Sequence, residues 1–189
     1  AAGFVVNMLF AARGTDYLAG DADPSIFQHY WSLAVEEQFY LIWPGLLAVI
    51  SRNAKKIRRR IAPSIALIIV ASLFASLLLT SPMPTWSYFG LHTRAFELGI
   101  GALLAVAWPS IEGWAPSRRA VLGWFGIIGI IISVPLASSV SEFPGWVAAV
   151  PVLSTAAVIS GGNSVRFGAV AILRVRLLPV SYTHLRAHE

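Results

Sequence analysis

The run APSIALIIVASLFASLLLT, residues 62–80, holds nineteen residues and no charged side chain. It does not alternate polar with apolar, and a continuous apolar run of about 20 residues is what an α-helix needs to cross a hydrocarbon layer ~30 Å thick. Similar windows lie at about residues 33–50, 91–108, 120–137 and 145–160, so the sequence predicts five spanning helices. Lipid satisfies no backbone polar group, which leaves helices and closed barrels, and unbroken apolar runs remove the barrel. The fold class expected is therefore all-α, a polytopic membrane helix bundle. A shorter run at residues 1–12, AAGFVVNMLFAA, is read as the end of a truncated N-terminal span.

Composition agrees. Of 189 residues, 57% are hydrophobic and 12% charged, against roughly 25% charged in soluble domains. A soluble enzyme is excluded, because one core of this size cannot bury so much apolar surface. The net charge of +5 and the pI near 10.1 invite a nucleic-acid reading, and the placement of the charges turns it aside. Eleven of the 14 Lys and Arg fall in alternate loops: Arg52, Lys55, Lys56, Arg58, Arg59 and Arg60, then Arg118 and Arg119, then Arg166, Arg174 and Arg176. The positive-inside rule makes the KKIRRR loop cytoplasmic and the loops at 13–30, 81–90 and 138–144 outward, with a cell-membrane location. A nucleic-acid or lipid-headgroup patch is the competing reading of KKIRRR, and the topological one is preferred.

There is no cysteine, hence no disulfide, thiolate nucleophile or Cys-bound metal. No phosphate loop, nucleophile elbow, HExxH or His/Asp cluster occurs, so neither a metal nor a bound cofactor is expected. After Pro179 the chain reads VSYTHLRAHE, a sharp break in composition. Residues 1–180 are read as a partial membrane domain and 181–189 as a foreign or read-through tail.

Polar residues within the apolar runs are the functional candidates. Residues 29–44, HYWSLAVEEQFYLIWP, place Ser32, Glu36, Glu37 and Gln38 at the outer end of a helix. A carboxylate costs ~2.5 kcal/mol or more at the centre of a membrane, so two adjacent ones need partners or water. Ser32, Glu36 and Tyr40 share a helix face, whereas Glu37 points about 100° away, toward Leu33 and Leu41. Pro44 removes the amide that would bond the Tyr40 carbonyl. The bland alternative is that both acids pair with Arg on neighbouring helices. In HTRAFELGIGALLA, residues 92–105, Arg94 and Glu97 lie one helical turn apart. They can pair locally, or Arg94 can neutralise Glu36 or Glu37 across the bundle, since both motifs begin at outward-facing ends.

His29 and His92 mark helix entrances, as interfacial polar residues or as general bases. The FPGW turn at 143–146 is an interfacial anchor or a binding platform. Ala95 with Gly99, Gly101 with Ala105, and Gly123, Gly126 and Gly129 have the spacing that lets helices approach closely.

The run HYWSLAVEEQFYLIWP closely resembles the signature of the acyltransferase-3 family of integral-membrane enzymes. The residues before it, HTRAFELGIGALLA and FPGWVAAVPVLSTAAVI extend the resemblance over nearly all of residues 4–162. It implies a fold of about ten membrane helices, of which this chain is the middle, and O-acylation of cell-surface polysaccharides, peptidoglycan, antibiotics or lipids. It places His29, Glu36 and Glu37 as catalytic candidates and Trp31, Ser32, Gln38, Arg94 and Glu97 as substrate-binding or supporting residues. Acyl-CoA is the implied donor, a carbohydrate or lipid hydroxyl the acceptor, and the bilayer the remaining partner, without nucleic acid. The family's Arg/Lys…His helix and Arg-rich element lack counterparts here, and its late SYxLYLxH segment is matched only at Ser181 and Tyr182. A transporter or flippase is the rival class, since intramembrane acids and broken helices also build substrate paths. A purely structural membrane subunit is the third reading, and HYWSLAVEEQFYL speaks against it.

Overall fold

The apolar runs do form helices, and no strand occurs among the described residues. The computed structural model describes residues 5–13, 30–51, 57–139 and 143–162. Seven helices fill them: α1 (Val6–Ala12), α2 (Trp31–Ser51), α3 (Ile57–Leu79), α4 (Pro84–Phe89), α5 (Leu91–Glu112), α6 (Pro116–Ser139) and α7 (Ala149–Gly161). The suspect tail at 181–189 lies outside the described residues.

Three helical stretches are long and apolar enough to cross a membrane: Arg60–Leu79, Pro84–Glu112 and Pro116–Ser138. The other two expected spans fall on α2 and α7. At 21 residues α2 has the length, and it carries Glu36, Glu37 and Gln38 in its first half. The 13 residues of α7 rise only about 20 Å. The 81–90 segment, expected as a plain loop, contains the short helix α4. Pro84 opens it with a fixed φ, and Gly90, extended at φ −81° and ψ 135°, breaks it from α5.

Large side chains cover the outer faces, as lipid requires: Leu41 is 80% exposed, and Leu67 and Val134 each 69%. Between helices, contact depends on small residues, because lipid is as apolar as the side chains and supplies no hydrophobic drive. The two longest contacts run between α3 and α5 and between α6 and α7, and α5 joins the pairs by touching α7. A Cβ on Gly99 would stand 2.8 Å from Ile69 Cγ1 on α3. On α6, a Cβ at Gly126 would lie 2.5 Å from the Ser154 carbonyl oxygen and 2.7 Å from the Val158 amide nitrogen, and Gly123 backs onto Gly161. These are backbone atoms and cannot swing aside. Gly101, by contrast, faces open space with nothing within 4 Å, so it serves no close approach among the described helices. We expect Gly126→Leu to destabilise the bundle by ~1–3 kcal/mol, the cost of overpacking, and Gly101→Leu to stay within about 0.5 kcal/mol. Unfolding of the detergent-solubilised protein measures both, and equal effects would contradict the packing described.

At the far end of this pair Arg119 is only 7% exposed. Its Nε donates to the Ser160 carbonyl at 3.3 Å, its guanidinium lies 5.8 Å from the Trp108 ring, and it occupies the space where a Cβ on Gly162 would sit. One of the loop charges counted for topology is thus part of the helix packing, while Arg118 beside it remains exposed.

The opposite end gathers the segments expected to lie together. A small core of Val6, Phe10, Ala11, Ala34 and Phe89, flanked by Trp31 and Tyr88, joins α1, α2 and α4. The Gly145 amide donates to Thr80 Oγ1 at 3.1 Å, tying the 143–146 turn to the end of α3. The start of α2, the α4–α5 corner and the FPGW turn therefore meet at one end of the bundle.

Candidate functional site

Because α5 begins at Leu91, Arg94 and Glu97 fall in its first two turns on one face. Arg94 Nη1 donates to both carboxylate oxygens, at 2.9 and 3.2 Å, and Nε donates to the Tyr88 carbonyl at 3.1 Å. Three rings from three segments surround the guanidinium: Tyr88 at 5.1 Å, Phe143 at 5.2 Å and Trp31 at 5.3 Å from Arg94 Cζ. Trp31 in turn packs on Tyr88 at 4.9 Å. The side chains of Arg94 and Glu97 are 12% and 23% exposed, so the pair is largely dry. Cation–π contacts are worth up to about 2 kcal/mol each when desolvated, and a planar guanidinium suits stacking and a forked carboxylate better than an ammonium.

A ladder of hydroxyls holds this corner in place. Thr93 Oγ1 donates to the Ser87 carbonyl at 2.6 Å and lies 2.9 Å from that of Gly90; the Ser87 and Thr80 hydroxyls meet at 2.9 Å. Such bonds fix a break in a membrane helix, where freed backbone groups find no water. Asn7, fully buried on α1, donates to the Phe89 carbonyl at 2.9 Å and accepts from Gln38 Nε2 at 2.9 Å. Sequence reasoning missed Asn7, although a lone amide in an apolar run is a signal in itself.

The structure brings Trp31, Arg94 and Glu97 together and anchors Gln38 to the same corner through Asn7. It does not pair Arg94 with Glu36 or Glu37. The local carboxylate wins because a partner three residues along the same helix is already positioned, without aligning a second helix. Nor do Glu36 and Glu37 pair with an Arg elsewhere among the described residues. Ser32, Glu36 and Tyr40 form an exposed stripe on α2, with the buried Val35 and Phe39 flanking it; Glu37 is half-buried. His29 lies outside the described residues, and His92 is exposed beside Gly90. The FPGW turn divides: Phe143 covers Arg94, Pro144 follows a cis peptide bond and is buried, and Trp146 stays 54% exposed. Among the described residues no three His, Asp or Glu stand together as a metal site.

Fold and site together define a helical membrane protein with a charged pair held in an aromatic box near one end of the bundle. The acyltransferase domain family, Acyl_transf_3, matches residues 2–178, and the chain belongs to this acyltransferase-3 family. It is 33% identical over 144 residues to the peptidoglycan O-acetyltransferase OatA of Listeria monocytogenes, covering 74% of this chain and 23% of that protein. It is 39% identical over 108 residues to the putative peptidoglycan O-acetyltransferase YrhL of Bacillus subtilis, covering 56% and 17%. With the O-acetyltransferase OatA of Staphylococcus aureus it shares 30% identity over 129 residues, covering 67% and 21%. The chain thus spans less than a quarter of the length of these relatives. No solved structure matches.

Proposed function

We propose that the protein containing these residues transfers an acyl group, acetyl first among them, from acyl-CoA to a hydroxyl of a cell-surface carbohydrate. The observation that carries this reading is Glu36, an exposed carboxylate with no cationic partner among the described residues, on an otherwise largely apolar helix and within the motif that also supplies Trp31 to the Arg94 box. In a membrane such a charge stands where it meets a partner. We assign that partner as an imidazole, either His29 or one supplied by another part of the parent protein. Glu36 or Glu37 orients the imidazole and stabilises its protonated form. The imidazole takes the proton of the acceptor hydroxyl, whose oxygen attacks the acyl carbonyl; the carbon–sulfur bond breaks, and the CoA sulfur leaves and is protonated. Arg94 and Glu97 hold Trp31 and the α4–α5 corner in register rather than exchanging protons. The peptidoglycan acetylation named for two relatives supports a glycan acceptor in the cell envelope, with the enzyme in the cell membrane and the KKIRRR loop on the cytoplasmic side.

Membrane vesicles carrying the whole protein, supplied with radiolabelled acetyl-CoA and envelope glycan, test the proposal. Label is expected in an ester that mild alkali releases. Movement of substrate across the vesicle without ester formation would overturn it and favour a transporter.

A further inference from the structure

The core that joins α1, α2 and α4 consists of apolar contacts among Val6, Phe10, Ala11, Ala34 and Phe89. Such contacts have no direction, so they hold helices together without choosing a rotation. Asn7 stands within this interface, 0% exposed, and the bonds of its carboxamide do have direction. Its Nδ2 donates to the Phe89 carbonyl at 2.9 Å, where α4 breaks at Gly90, and lies 3.5 Å from Gln38 Oε1; its Oδ1 accepts from Gln38 Nε2 at 2.9 Å. A backbone carbonyl only accepts, so the amino group of Asn7 must face it. Oδ1 is then turned to α2, and Gln38 has to answer with Nε2. One backbone carbonyl sets the direction of both amides.

The consequence for α2 follows from helical spacing. Trp31 and Gln38 are seven residues apart and share a face, so the helix is held at two points, in the Arg94 box and at Asn7. At about 100° per residue, Glu36 lies about 140° round the helix from Trp31 and about 160° from Gln38. Two anchors on one side turn Glu36 to the other. A slide of one residue, about 1.5 Å, would keep apolar contact and break the amide pair.

We propose that Asn7 is a positioning residue: its amide pair with Gln38 fixes the rotation and height of α2, and so the direction in which Glu36 is presented. Hydrogen bonds between membrane helices add little stability, and the best-attested use of a buried polar group is to select one register. The effect on acyl transfer rests on the reading above; the effect on α2 does not.

The test uses the whole protein in phosphatidylcholine vesicles. Asn7→Leu keeps the size of the side chain and removes its hydrogen bonds, whereas the exchange Asn7→Gln, Gln38→Asn keeps an amide pair of the same summed length. Asn7→Leu is expected to lower kcat for ester formation on the order of 10²-fold, the cost of an ångström-scale misplacement, with KM for acetyl-CoA unchanged. The exchange should recover on the order of tenfold of that loss. Nitroxides on Leu41→Cys and Leu67→Cys, exposed on α2 and α3, report α2 itself, any other cysteine being replaced by serine. Their distance distribution should broaden in Asn7→Leu and narrow again in the exchange. If Asn7→Leu fails to fold, the single changes Asn7→Gln and Gln38→Asn take its place in the same comparison. An unchanged distribution, a wild-type kcat in Asn7→Leu, a loss that falls on KM, or an exchange no better than Asn7→Leu would overturn the proposal. Absence of ester from the wild-type protein, with the distribution broadened by Asn7→Leu and restored by the exchange, would remove the acyl-transfer reading and leave the placement of α2 standing.

Discussion

Arg94→Ala is expected to destabilise the bundle by about 3–5 kcal/mol, the cost typical of removing one partner from a buried ion pair. Glu97 would be left largely out of water without the guanidinium that neutralises it. Three segments would also lose their common contact: the start of α2, the α4–α5 corner and the FPGW turn. Arg94→Lys should recover part of the loss, since it keeps the charge but neither the forked contact with Glu97 nor the flat stacking surface. The double variant Arg94→Leu, Glu97→Leu should recover more than either single change, because no charge remains unpaired. Unfolding of the purified parent protein by titration from mild to harsh detergent reads all three variants against the wild type. Wild-type stability in Arg94→Ala would show that the box is not a structural element.

The other large effect concerns activity. In the whole protein Glu36→Gln should lower acyl transfer by about 10²–10⁴-fold, the range that acid–base groups contribute, with membrane insertion intact. Glutamine keeps the size and hydrogen-bonding reach of the side chain and removes the charge that would stabilise an imidazolium. Glu37→Gln should cost less, since Glu37 is half-buried and turned from the stripe that Ser32, Glu36 and Tyr40 present. Rates of ester formation in vesicles, with protease accessibility as the check on insertion, separate the two. Normal product formation by both variants would falsify the proposed role of these acids.

Much of this arrangement was legible in the sequence, for identifiable reasons. Hydropathy located the spans because the apolar requirement is local and summed over some twenty residues. The Gly123, Gly126 and Gly129 stripe could be read because helical spacing alone places those residues on one face. Helix ends were less visible. A hydropathy window does not register that Pro116 opens α6, that Pro84 and Gly90 bracket α4, or that α5 runs through Pro109 to Glu112. The Arg94 box was hidden for another reason. Its carboxylate lies three residues away, but its rings come from residues 31, 88 and 143, and their convergence is a property of how the helices pack. Asn7 and Gln38 likewise look unrelated until α1 and α2 are side by side.

The pairing of Arg94 with Glu97 has a consequence for how the chain is made. Both charges belong to one helix, so they can neutralise each other as soon as its first two turns form. As it leaves the ribosome, α5 can therefore partition into the bilayer with that pair already neutral, whatever has or has not been inserted before it. No cation within α2 offers Glu36 and Glu37 the same service. Its stable residence in lipid should depend on a neighbour, so the order in which helices enter the membrane matters for α2 far more than for α5.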